Sequence, residues 1–141
     1  MQRQTGSSYV KKIDYVFYSE GAIKLAVDEI RKDNSHYGKN GSGVSDPTAA
    51  EVIRNTTPIL SVLIGDSKLE RPEEWLRVIN ATYAWCDRDR FIVAKDRYAG
   101  IDYRQTCAKL TISTAQYFRW LYDVRHFAAL CAAQMGLIKV C

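Results

Sequence analysis

No two of the four cysteines in this chain form a C-x-x-C pair. Cys86, Cys107, Cys131 and Cys141 lie too far apart in sequence for the close pairs that zinc sites use. A disulfide framework would be unusual at this size and helix content. The thiols therefore read as reduced and packed in helices, which implies a cytoplasmic setting. No apolar run reaches about 18 residues, and Met1-Gln2-Arg3-Gln4 leads into no apolar segment. Neither a membrane span nor a signal peptide is expected. A Gly-rich phosphate loop, a nucleophile motif and a paired-acid motif are also lacking. His126 has no matching His or acid four residues on, and His36 lies in a Gly/Asn/Ser-rich stretch with no neighbouring ligand. The expectation is a protein without metal or cofactor that does not catalyse a reaction.

The apolar share is 47% and the charged share 26%, close to the globular average, so the chain can bury a real core. Its 141 residues suit one domain or a domain with an appendage. The net charge of +4 is unevenly placed. Residues 1–85 hold eleven Lys/Arg and eleven Asp/Glu, while residues 86–141 hold nine Lys/Arg against five Asp. The whole excess falls on the C-terminal segment, which points to an anionic partner.

Apolar residues recur at three- and four-residue spacing, and no alternating run bounded by turns stands out. The expected fold is all-α, with a long N-terminal helix, a flexible linker and a helical bundle ending in a helix-turn-helix. The first helix should run from about Ser8 to Asp33, on a stripe of Val10, Ile13, Val16, Phe17, Ile23, Val27 and Ile30, with Gly21 weakening its middle. Residues 34–44, rich in Gly, Asn and Ser, read as the linker. This divides the chain into residues 1–44 and a helical domain of residues 45–141.

Asp46-Pro47 should open a helix, since proline fits the first helical position. It carries Val52, Ile53, Ile59, Leu60 and Leu63, is interrupted by Pro58, and ends at Gly65-Asp66-Ser67. Arg71-Pro72-Glu73-Glu74 should open the next, burying Trp75, Val78, Ile79 and Thr82, with a break near Asp87. A further amphipathic segment ends at Gly100, placed to cap it. Asp87, Asp89 and Asp96 alternate with Arg88, Arg90 and Arg97, which reads as a solvated, salt-bridged face.

Residues 102–135 carry the functional argument. Asp102 caps a short helix over residues 103–110, and Thr111-Ile112 make a tight turn. Ser113 and Gln116 then form an S-x-x-Q capping box, with Ile112 and Tyr117 as its hydrophobic staple. A short helix, a brief turn and a capped longer helix make the layout of a helix-turn-helix. The first turns of the second helix would offer Ser113, Thr114, Gln116 and Arg119 to the major groove of double-stranded DNA, with Ala115 small enough for close approach. Arg104 and Lys109 on the first helix would reach flanking phosphates.

The string Gly41-Ser42-Gly43-Val44-Ser45-Asp46-Pro47-Thr48-Ala49 resembles the signature of phage-encoded transcriptional activators of the RinA and ArpU type. Those proteins have a coiled N-terminal helix, a Trp-bearing middle helix, and a helix-turn-helix similar to region four of bacterial sigma factors. Trp75 matches the middle helix. Arg97-Tyr98, Ile112-Ser113 and Tyr117-Arg119 match the tail, so the likeness covers roughly residues 9–138. The resemblance implies sequence-specific activation of phage genes in a bacterial host, with host RNA polymerase as a further candidate partner. Trp120 and the run Phe127-Ala128-Ala129-Leu130-Cys131-Ala132-Ala133 make the last helix unusually apolar, which suggests a homo-oligomer, expected as a homodimer. Two rival readings stand beside this one: a DNA-packaging adaptor like a small terminase subunit, and a helical interaction module with no DNA role.

Overall fold

The computed structural model describes residues 2–39 and 57–139, with side chains from residue 9 to 32 and from 57 to 139. Helix dominates these residues, in agreement with a mainly α fold. In chain order come α1 (Gln2–Tyr18), α2 (Glu20–Lys39), β1 (Ser61–Ile64), β2 (Ser67–Glu70), α3 (Pro72–Trp85), α4 (Arg88–Tyr98), α5 (Tyr103–Leu110) and α6 (Thr114–Gln134). The chain divides into two compact units, Met1–Glu20 with Glu74–Cys141, and Gly21–Glu73.

The single long N-terminal helix is corrected to two. The apolar stripe is present, with Ile13, Val16, Phe17, Ile23 and Val27 all buried. Its continuity hides a break at Ser19. There the amide donates to both Tyr15 (3.0 Å) and Val16 (3.1 Å), so the ladder tightens for one residue before α2 begins. Ser19 and Gly21 are both weak helix formers, and the division between the units falls at this point. The expected linker at 34–44 is also revised: residues 34–39 continue α2, and residues 40–44 lie outside the described part, as do Asp46-Pro47 and the helix expected to start there.

The end of that expected helix is strand instead. β1 and β2 form an antiparallel hairpin with Val62 opposite Leu69 and Ile64 opposite Ser67. Gly65-Asp66 is its two-residue loop, and the positive φ of 63° at Gly65 alone matches a glycine-first hairpin turn. Val62 and Leu69 are buried on one face, while Leu63 and Lys68 are exposed on the other. Ile59, Leu60 and Leu63 do have helical spacing. However, Pro58 removes a backbone donor, and β-branched Val62 and Ile64 favour the pleated chain. Within this unit Arg31 ties α2 to the hairpin base, donating to Thr57 O (2.9 Å) and Glu73 Oε1 (2.7 Å).

The other unit is helical. α6 packs on α1, α4 and α5, and α4 packs on α1 and α5. Trp75, Val78 and Ile79 of α3 are buried, and the Thr82 hydroxyl is satisfied by Val78 O at 2.7 Å. Asp87 separates α3 from α4 and accepts from the Arg90 amide (3.0 Å). Asp14 of α1 is caught from two sides. Arg125 of α6 donates to both its oxygens (2.9 and 2.8 Å), and Tyr98 of α4 donates at 2.7 Å. Burial pushes the Tyr98 phenol above its usual range, and the Asp14 charge adds to this, so Tyr98 stays a donor. Burial works against the Arg125 charge, but Asp14 more than offsets it. Such a bidentate pair fixes orientation as well as adding energy.

Candidate nucleic-acid interface

The segment 100–119 is built from local signals. Gly100, at φ 84°, ends α4: its amide donates to Arg97 O (3.2 Å), and the Ile101 amide donates to Asp96 O (3.0 Å). This double closure is the Schellman arrangement. Asp102 then caps α5 by accepting from the Arg104 amide at 2.8 Å. α5 ends the same way as α4, through Thr111 to Ala108 O (3.3 Å) and Ile112 to Cys107 O (3.0 Å). Here the left-handed residue is Thr111 (φ 56°, ψ 52°), a β-branched side chain in a region that favours glycine.

Ser113 caps α6, its hydroxyl accepting from the Gln116 amide at 3.0 Å. Only this half of the capping box forms among the described hydrogen bonds. The packing beneath the turn is aromatic and aliphatic. Val93, Tyr117 and Leu121 make a buried cluster, and Tyr103, Cys107, Leu110, Ile112 and Trp120 pack against it. The rings of Tyr103, Tyr117 and Phe118 lie 5.0 to 6.0 Å apart, joining α5 to the first turn of α6. Ring pairs at such separations contribute beyond their buried area.

Ser113, Thr114 and Arg119 are exposed at the start of α6, with Ala115 exposed on the Arg119 side, four residues earlier. Gln116 is half-buried. Arg119 makes no ion pair among the described residues. Arg104 is 78% exposed on α5, with its guanidinium 5.5 Å from its neighbour Tyr103's ring and a loose approach to Asp102. Lys109 is engaged: its ammonium sits 2.7 Å from Asp96 Oδ2.

That pair revises the solvated face expected on α4. Asp96 is buried and also accepts from the Thr106 hydroxyl (2.8 Å), so it clamps α5 rather than facing water. Arg90 reaches Asp123 of α6 at 2.9 Å as well as Asp87 at 2.8 Å. Arg88 and Asp89 do form the loose, exposed contact that the alternation suggests. A charge pattern along one helix cannot reveal partners on another helix, and no sequence signal marks Asp96 as different from Asp89.

The described cysteines are half-buried and unpaired. Burial pushes the Cys86 thiol up to about 11, with Asp87 adding to this and Arg90 opposing, and burial raises Cys131 as well. Neither is a thiolate at neutral pH. Among the described residues no cluster of His, Cys, Asp and Glu is arranged to hold a metal ion, and no helix is long and apolar enough to cross a membrane. Compared with known families, curated proteins and solved structures, the chain matches none.

Proposed function

We propose that this protein is a DNA-binding transcriptional regulator of phage genes, acting in the cytoplasm of a bacterial host and using α5–turn–α6 as a helix-turn-helix. The observation that carries the reading is a Ser113-capped α6 that follows α5 after three residues and leaves Thr114, Ala115 and Arg119 exposed on its first turns. A helix entering the major groove needs small and polar residues there, with a long donor beside them. Arg104, exposed on α5, is available to a flanking phosphate. The basic excess on residues 86–141 favours the same partner. Host RNA polymerase is a second partner under this reading.

Self-association belongs to the proposal. Tyr122 (61% exposed) and Leu130 (50% exposed) leave apolar surface on the outer side of α6. A homodimer suits a regulator that reads two half-sites. A closed ring in sedimentation would favour the packaging-adaptor reading instead.

The deciding experiment is fluorescence anisotropy with a duplex selected from a random pool and an unselected duplex. Arg119→Ala should weaken the selected duplex by about 1–3 kcal/mol and relax the preference for it. Failure of the wild-type chain to retain any duplex at low salt would overturn the regulator and packaging readings together, leaving an interaction module.

A further inference from the structure

Asp96 and Lys109 make an arrangement that a simple phosphate-binding lysine would not need. Asp96 Oδ2 receives two donors from α5, the Thr106 hydroxyl at 2.8 Å and the Lys109 ammonium at 2.7 Å. The two donors lie three residues apart and share one face of the helix. Thr106 is fully buried, and the Asp96 side chain is 12% exposed, whereas the Lys109 side chain is 54% exposed. The ammonium therefore sits at the surface over a carboxylate that has little access to water. A buried carboxylate holds its cation firmly, because losing the partner would leave an uncompensated charge.

This matters to the α5 surface. Sequence-independent affinity for duplex DNA comes from cations that replace the counterions condensed on phosphates. Lys109 is one of the basic residues on α5, and a fixed negative charge already neutralises it. An ammonium has three N–H donors, so it can still hydrogen-bond a phosphate while held by Asp96. It then brings little net charge to that contact.

We propose that Asp96 is a built-in competitor for DNA phosphate at Lys109, lowering the protein's sequence-independent grip on duplex DNA. The inference rests on the helix-turn-helix reading of α5 and α6. It makes Asp96 a regulator of binding strength and of the salt range over which DNA is released, without a part in choosing the sequence. Base contacts from α6 then carry a larger share of the binding.

The test uses the full-length chain with Asp96→Asn, Lys109→Met and the double variant, titrated with an unselected duplex across a range of salt. Asparagine keeps an oxygen for Thr106, so the α4–α5 link survives in part. Asp96→Asn should steepen the salt dependence by about 0.9, equivalent to one more phosphate neutralised, and tighten binding about five- to tenfold at ~0.1 M salt. The preference for a selected over an unselected duplex should stay unchanged. The gain should vanish in the double variant, which has no ammonium to release. Compared with the wild type, the double variant, which leaves neither charge unpaired, should lower the slope by much less than 0.9. Should Asp96→Asn lose its cooperative thermal transition, this last measurement carries the test: a full reduction of about 0.9 shows a freely available lysine and overturns the proposal. An unchanged slope in folded Asp96→Asn, or a gain that persists in the double variant, also overturns it. Where the wild type binds and Arg119→Ala weakens it, those results overturn this proposal alone. Where no variant retains any duplex at low salt, the DNA reading falls first and takes this one with it.

Discussion

Two turns bracket α5, and they close with the same pair of hydrogen bonds. Before it, Gly100 occupies the left-handed position at φ 84°. After it, Thr111 does so at φ 56°. Glycine enters this region at no steric cost, whereas a β-branched residue there carries a strain of about 1–2 kcal/mol. The first turn is local chemistry and would close in many surroundings. The second must be held by what surrounds it: the Ser113 cap that follows at once, and Ile112, packed on the Val93–Tyr117–Leu121 cluster. The strained turn is also the one that sets α6 relative to α5, where the candidate interface lies. Strain kept at such a place needs support from neighbouring packing.

Removing that support should have the largest effect. Tyr117 is fully buried and touches the Tyr103 and Phe118 rings, so Tyr117→Ala should cost about 3–5 kcal/mol in denaturant unfolding. A loss below about 1 kcal/mol would show that the cluster does not hold the Thr111 turn. Next comes Gly100→Ala, which places a Cβ at positive φ where no neighbouring atom blocks it. The cost should therefore be the conformational term alone, about 1–2 kcal/mol. Ser113→Ala should cost about 1 kcal/mol through the lost cap, read as a lower Tm; an unchanged Tm would mean that the hydroxyl does not stabilise α6. Smallest is Thr111→Gly, which makes the two turns alike. Relief of strain exceeds the extra freedom that glycine gives the unfolded chain, so stability should rise by about 0.5–1 kcal/mol. A loss of stability would show that the Thr111 side chain contributes packing that outweighs its strain.

Much of the helical unit was legible because its signals are short-range. Asp102 and Ser113 each accept from an amide two or three residues ahead, so a cap can be read from a few letters. Pro72 and Gly100 mark helix ends for equally local reasons. The buried stripe of α3 followed from its 3.6-residue period. The hairpin was not legible: four-residue strands show too little alternation to outweigh three apolar residues at helical spacing. Nor was the break at Ser19, since one tightened residue leaves the apolar stripe in phase on both sides. In the candidate site, the exposed start of α6 follows from the capping pattern, but the state of Lys109 does not.

By itself, the sequence determined a mainly helical chain, the end of α4, both ends of α5, the start of α6, and a basic C-terminal segment. The helix boundaries depend on backbone preferences and hydrogen bonds that span about one helical turn, and the charge is a matter of composition alone. Tertiary structure alone decided that Asp96 holds Lys109, that Arg90 reaches Asp123, and that Asp14 joins Tyr98 and Arg125. Those partners stand 13, 33, 84 and 111 residues apart. A charged side chain can pair with any opposite charge that the fold brings within reach, so its partner is chosen by packing.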